Sequence, residues 1–230
     1  MTFDHVTALT FDCYGTLIDW EAGILAAIRA VLGPRGIARS DDELLGTFAE
    51  VESPIQQETF QRYRTVLDRT MAALSHRFGF EPTPAECRSL ADSVPTWEPF
   101  PDTVTALRRL AERFDLGIIS NVDDDLFAGS AARLGVPFAW VVTAEQVGSY
   151  KPARTNFHRA LERIGRPWNE VVHCAQSLYH DVGPARSLGL ATVWVDRRRG
   201  RIGGGATPPS AARPDLTVPD LATLAALALR

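Results

Sequence analysis

The sequence predicts an α/β protein, a mostly parallel sheet interrupted once, just after its first strand, by a helical insertion. Two observations carry this. Five short runs rich in β-branched residues alternate with helix-length stretches, the rhythm of right-handed βαβ crossovers and a parallel sheet. Between about residues 20 and 98 that rhythm stops: helical spacing continues and no strand pattern occurs.

The elements follow in order. "VTALTFDC" at 6–13 is short, apolar and ended by the Gly15-Thr16 turn, as expected of a strand buried on both faces. The insertion reads as helices near 21–32, 41–52, 60–78 and 84–93. In the third, Tyr63, Val66, Leu67, Met71, Leu74 and Phe78 recur at helical spacing, one buried stripe. After Pro101 come a helix over 102–113, the strand "DLGIIS" at 115–120 and a helix over 124–134 that stops at Gly135. "FAWVVT" at 138–143, a helix over 154–164 and "EVVHCAQ" at 170–176 continue the alternation. A helix over 181–188, "ATVWVD" at 191–196 and a last helix from Pro219 to 229 complete it. Ligands of open parallel sheets bind beyond the C-terminal ends of the strands. An insertion directly after the first strand lies over that edge and can keep water out. The predicted organisation is a core of residues 1–19 and 99–230 with a helical cap at 20–98.

Composition narrows the class. Hydrophobic residues are 45% and charged residues 23% of the 230, the balance of an ordinary globular chain that folds without disulfides or a structural metal. Cys13, Cys87 and Cys174 are odd in number, scattered and not at metal-ligand spacing. Reduced thiols and a cytoplasmic location are the expectation, since Asp4 and early polar residues give no secretory leader pattern. No eighteen-residue apolar run is present, so no membrane partner is expected. A net charge of −4 gives no reason to expect nucleic acid. The basic run "RRRGR" at 197–201, followed by "IGGGATPPS", reads as a flexible solvated loop. "GRIGGG" misses the dinucleotide fingerprint, and neither G-x-S-x-G nor a Walker sequence occurs.

Polar residues gather where strands end. Asp12 ends the first and Ser120-Asn121 the second; "GSYKP" after the third supplies Lys151; "QSLYHD" after the fourth supplies Ser177, His180 and Asp181. Any one of these is an ordinary turn or helix cap. Four at one edge of a parallel sheet are better explained as one site. Two buried carboxylates repel, and a lysine between Asp12 and Asp181 keeps Asp12 ionised and nucleophilic. Ser120 and Asn121 can hold an anionic oxygen without adding charge.

At these residues the chain resembles the haloacid dehalogenase superfamily: "FDCYGTL", "SN", "SYKP" and "SLYHD" match its four motifs in order and spacing. The resemblance implies a Rossmann-like core and an aspartate nucleophile, Asp12, that forms a covalent intermediate. Phosphatase members carry a second aspartate two positions on, as proton donor, and use magnesium; here Tyr14 stands there. The 2-haloacid dehalogenases carry tyrosine, need no cofactor or metal, and resemble this chain at Asp12, Thr16, Ser120, Asn121, Lys151 and Asp181. Their halide departs without a proton. Two of their features are missing: "LLGTFAEVESPIQQE" lacks the family's cap arginine, and Leu178 replaces an asparagine. The azetidine-2-carboxylate hydrolases of the same family resemble residues 11–20, 52–57 and 177–181, and their protonated ring nitrogen also leaves unaided.

The expected mechanism has Asp12 attacking C2 of a small carboxylic acid and water then attacking the Asp12 carboxyl carbon. Asp181 serves as base or water-orienting group, Lys151 as charge balance and Thr16 as part of the catalytic set. Cys13, Tyr14, Trp20, Ser120, Asn121, Ser177 and His180 are expected to contact the substrate. Rival readings are a magnesium-dependent phosphohydrolase and a non-catalytic binding protein on the same scaffold. A homodimer is compatible with the sequence.

Overall fold

The computed structural model describes residues 1–199 and 205–230. Its centre is a six-stranded sheet: β1 (Ala8–Phe11), β2 (Asp115–Ser120), β3 (Trp140–Thr143), β4 (Val171–Ala175), β5 (Ala191–Val195) and β6 (Leu216–Val218), in the order β3-β2-β1-β4-β5-β6. Every neighbouring pair is parallel. β1 is held on both sides, with Ala8 opposite Asp115 in β2 and Val171 in β4. The strand order reverses here, β2 and β3 running outward one way and β4 to β6 the other. A ligand crevice is expected at such a switch point.

Side-chain alternation divides the core. Ala8, Ile119, Val142 and Val171 face helices α8 (Arg154–Ile164) and α9 (Gly183–Ser187), where Phe157, Ala160, Leu161 and Ile164 form one helical stripe. Leu9, Phe11, Ile118, Cys174 and Val193 belong to the larger cluster. That cluster also holds residues of α5 (Thr103–Leu110), α6 (Asp124–Leu134) and α10 (Leu221–Ala228). A short helix, α7 (Ala144–Val147), follows β3.

Residues 20–98 form helices α1 (Trp20–Leu32), α2 (Asp41–Gln56), α3 (Tyr63–Arg77) and α4 (Pro84–Ser93), with no strand in the main sheet. Their starts are chemically marked. Ser40 accepts from Glu43 N, and Thr83 with Glu86 closes a reciprocal capping box. The cap of α3 comes from far away: buried Asp123 accepts from Tyr63 N at 2.8 Å and Arg64 N at 2.9 Å. A carboxylate at a helix N-terminus satisfies orphan N–H groups and meets the positive end of the dipole. Asp123 thereby ties the insertion to the loop after β2.

Four expectations need correction. The sixth strand, three residues between Pro214 and Pro219, is too short to show a period. Helix α2 runs to Gln56 rather than residue 52. Pro54 removes one backbone donor, but Gln57 N closes the last turn on the Ser53 and Pro54 carbonyls, both at 3.2 Å. The helix expected over 181–188 is a π-helical turn, Leu178–Val182, followed by the shorter α9. The basic run is not simply solvated. The Arg197 guanidinium donates to the Thr16 carbonyl at 3.0 and 3.1 Å, pairs with Asp102 at 2.7 Å and stacks over Phe100. Arg198 pairs with Glu21, and Gly200 and Arg201 lie outside the described residues.

The insertion also meets the core by close approach. A Cβ added at Gly129 of α6 would stand 2.4 Å from Pro95 Cβ and 2.8 Å from Pro95 Cα. Backbone on the far side leaves no room to yield, so Gly129→Val is expected to lower stability by roughly 1–3 kcal/mol through overpacking. A urea midpoint equal to wild type would show that the contact relaxes freely.

Candidate active site

The loop after β1 turns at Gly15, whose φ of 88° belongs to the region that favours glycine. A Cβ there would also stand 2.8 Å from Trp20 Nε1. This turn brings Thr16 back over the strand end, where its hydroxyl donates to Asp12 Oδ2 at 2.8 Å and accepts from Gln176 N at 2.9 Å. The other oxygen of Asp12 accepts from Lys151 Nζ at 2.9 Å. Both oxygens are thus oriented by different elements, and the carboxylate is fixed in rotation.

Lys151 is buried and all three of its N–H donors are engaged: Asp12 Oδ1 at 2.9 Å, Asp181 Oδ1 at 2.6 Å and the Ile119 carbonyl at 2.7 Å. Asn121 sets its backbone, accepting from Lys151 N at 2.7 Å and donating to the Lys151 carbonyl at 2.9 Å. The structure therefore brings Asp12, Thr16, Asn121, Lys151 and Asp181 together, with Asn121 committed to holding the lysine.

Asp181 lies in the π-helical turn, a distortion frequent at functional sites. Ser177 caps this turn, accepting from His180 N at 2.9 Å. Behind Asp181 stands His173, absent from the sequence expectation. Its Nε2 lies 3.0 Å from Asp181 Oδ1 and its Nδ1 lies 2.9 Å from Thr10 Oγ1. The carboxylate only accepts, so Nε2 carries the proton of that bond. Asp181 Oδ2 and Ser120 Oγ are buried with no hydrogen-bond partner among the described residues. Buried polar atoms are seldom left unpaired. Here two of them border one cavity.

The electrostatics separate the two acids. Burial raises Asp12 above the ordinary aspartate value; Lys151 pulls it back and Asp181 pushes it further up. Burial acts on Asp181 as well, but Lys151 and His173 outweigh it and hold that carboxyl below the usual range. Desolvation opposes the charge on Lys151, yet Asp12 and Asp181 raise it on balance. The ammonium persists.

The cavity, counted together with its mouth open to solvent, has a volume of about 490 Å³ and is lined by Asp12, Tyr14, Trp20, Ser120, Asn121, Lys151, Ser177, His180 and Asp181. Glu52, Gln56 and Tyr63 of the insertion close its other side. The Tyr14 hydroxyl hydrogen-bonds Ser130 Oγ at 2.9 Å and its ring meets Trp97 edge-on. Burial raises the phenol well above its ordinary value, so it is neutral. Burial likewise lowers His180 to about 4, leaving a neutral imidazole in the wall. Trp20 packs edge-on against Phe48. Cys13 is fully buried in the core cluster and is not among the cavity residues, so its expected substrate contact is not made by its side chain. All three cysteines are free thiols.

Over residues 6–189 the sequence matches the family described as haloacid dehalogenase-like hydrolase. The chain belongs to the haloacid dehalogenase-like hydrolases. It is a hydrolase by membership of that family. It is 25% identical to (S)-2-haloacid dehalogenase 1 of Pseudomonas sp. strain CBS-3 over 201 residues, 84% of this chain and 86% of the relative. It is 27% identical to 5-amino-6-(5-phospho-D-ribitylamino)uracil phosphatase YigB of Escherichia coli K12 over 239 residues, 97% and 96% of the two chains. The crystal structure of an L-2-haloacid dehalogenase superposes with a TM-score of 0.81 at 25% identity, covering 96% of this chain and 97% of that one. Dehalogenases and a phosphatase thus both occur among the relatives of this haloacid dehalogenase-like hydrolase, and the site must decide between them. No helix among the described residues is long and apolar enough to cross a membrane.

Proposed function

We propose that this enzyme displaces a leaving group from C2 of a small carboxylic acid, of the 2-haloacid or azetidine-2-carboxylate type, through an ester on Asp12. The observation that carries the reading is Tyr14. Two positions after the nucleophile stands a neutral phenol whose hydroxyl is turned to Ser130, so no carboxylic acid is there to protonate a departing alkoxide. A halide, or the nitrogen of an already protonated strained ring, leaves without that help.

In the first step an Asp12 oxygen forms the bond to C2, and the leaving group departs with its electron pair. Ser120 Oγ, unpaired among the described residues and at the cavity wall, donates to the substrate carboxylate or to the ester oxyanion. In the second step water attacks the Asp12 carboxyl carbon and the 2-hydroxy acid leaves. Asp181 Oδ2, which has no partner among the described residues, is the acceptor for that water. Its depressed pKa suits orienting the water better than holding a proton for long. Residues 20–98 act as the cap: Glu52, Gln56 and Tyr63 close the cavity and limit hydration of the nucleophile. Lys151 already bridges one oxygen of each aspartate, which supports a metal-independent reaction.

The test is a panel of 2-haloacids, azetidine-2-carboxylate and phosphate monoesters, each assayed with and without a chelator. Turnover of C2-substituted acids that survives chelation is the expected result. Phosphate ester hydrolysis that depends on magnesium would replace this reading with the phosphohydrolase one.

A further inference from the structure

The cavity wall contains an acid that the reaction does not use. Glu52 belongs to α2 and is buried, and its side chain accepts from Gln56 Nε2 at 2.8 Å and bonds with the Tyr63 hydroxyl. Both partners are neutral. No cation pairs with Glu52 among the described residues. Among the described residues Lys151 is the one cation in the lining, and its three donors are already taken. His180 is neutral, and Tyr63 and Tyr150, which feel Glu52, are raised and neutral as well. With Asp12, Asp181 and Glu52 ionised against Lys151, the described residues of the lining carry net negative charge. An incoming carboxylate alone is poorly matched to it.

We infer that Glu52 is a specificity-determining residue that holds a cationic nitrogen of the substrate, so that the site selects zwitterionic 2-substituted carboxylates over purely anionic ones. This rests on the reading of the cavity as a site for 2-substituted carboxylates. A buried carboxylate without a cation is costly, and a ligand ammonium both satisfies it and offsets the substrate's own negative charge. The insertion thus supplies a carboxylate to the cavity wall. Burial also raises Glu52 to about 7, which gives the preference a pH dependence. Glu52 is charged, and the preference present, above that value. Both are lost as the pH falls through it.

Product-like ligands test this without any turnover. 3-Amino-2-hydroxypropanoate and 2-hydroxybutanoate differ only in an ammonium where the other has a methyl. Calorimetric titration of wild-type enzyme at pH 8 is expected to show the aminated acid binding at least ten-fold tighter, with the ratio shrinking toward one at pH 5.5. Glu52→Gln, of nearly the same shape, is expected to bring the ratio close to one at pH 8. Equal affinities in wild type at pH 8, a ratio independent of pH, or a preference that survives in a folded Glu52→Gln protein would each overturn the inference. Failure of every C2-substituted acid to turn over is a separate result and bears on the proposed reaction alone.

Discussion

Single-turnover hydrolysis in heavy-oxygen water is expected to leave the label in the Asp12 carboxylate and an unlabelled hydroxyl in the product. In the proposed reaction water attacks the carbonyl carbon of the ester, so the oxygen delivered to substrate C2 is one that Asp12 already held. Both Asp12 oxygens are oriented, one by Thr16 and one by Lys151, which is what an in-line displacement demands of its nucleophile. Asp12→Asn removes the charge and is expected to lower turnover by roughly 10⁴-fold or more, as loss of a covalent nucleophile does. Lys151 keeps Asp181 as a partner in that variant, so the fold should survive. The pH profile adds an independent reading. Asp12 acts ionised, and burial raises its pKa. Activity is therefore lost as the pH falls through a value above the ordinary aspartate range. Label found only in the product of the first turnover would exclude the ester.

Replacing Lys151 is expected to have the second-largest effect, on rate and stability together. Lys151→Ala leaves two buried carboxylates facing each other with no cation between them. Removing one partner of a buried pair costs about 3–5 kcal/mol. Turnover should fall by orders of magnitude, because Asp12 loses the charge that counters its burial. The sign of the pH response is set by the same physics. Without the lysine both carboxyls titrate higher folded than unfolded, so the folded variant binds more protons and gains stability as the pH falls. The stability gap to wild type, measured by urea unfolding from pH 8 to pH 5, should narrow toward acid. Arginine should restore little, since its planar fork does not fit a slot shaped for a compact ammonium with three acceptors. Wild-type turnover in the alanine variant, or a gap that ignores pH, would reduce Lys151 to a structural residue.

Much of the site was legible in the sequence because its parts lie at strand ends, where an apolar run gives way to a polar residue. Asp12, Ser120 and Asn121 are of this kind, Lys151 and Asp181 follow β3 and β4 by a short helix and a turn, and the sheet order puts these loops at one edge. What escaped notice depends on contacts remote in sequence. His173 sits inside an apolar strand, and only its two partners, Thr10 and Asp181, distinguish it from a core residue. Glu52 reads as one polar residue of an amphipathic helix until the last turn of α2 is seen to continue past Pro54. Arg197 looks like part of a basic tail, but its acceptors are Thr16 and Asp102, far back along the chain. The short β6 has no periodicity to read and exists by pairing with β5.

The place of β1 at the middle of the sheet has a consequence for how the molecule is made. On the ribosome, the strand that leads into Asp12 emerges before either of its neighbours, and all four of its residues are ones the folded protein buries. Its first neighbour cannot reach it until Asp115 has been made, nor its second until Val171 has. At roughly 5–20 residues per second that is a wait of many seconds with both hydrogen-bonding edges open. The helices of residues 20–98 appear in the meantime and can form from local contacts, the faster kind to assemble. Asp12 thus takes its final place only after Val171 has been made, and the interval before it does is when the nascent chain most needs shielding from its neighbours.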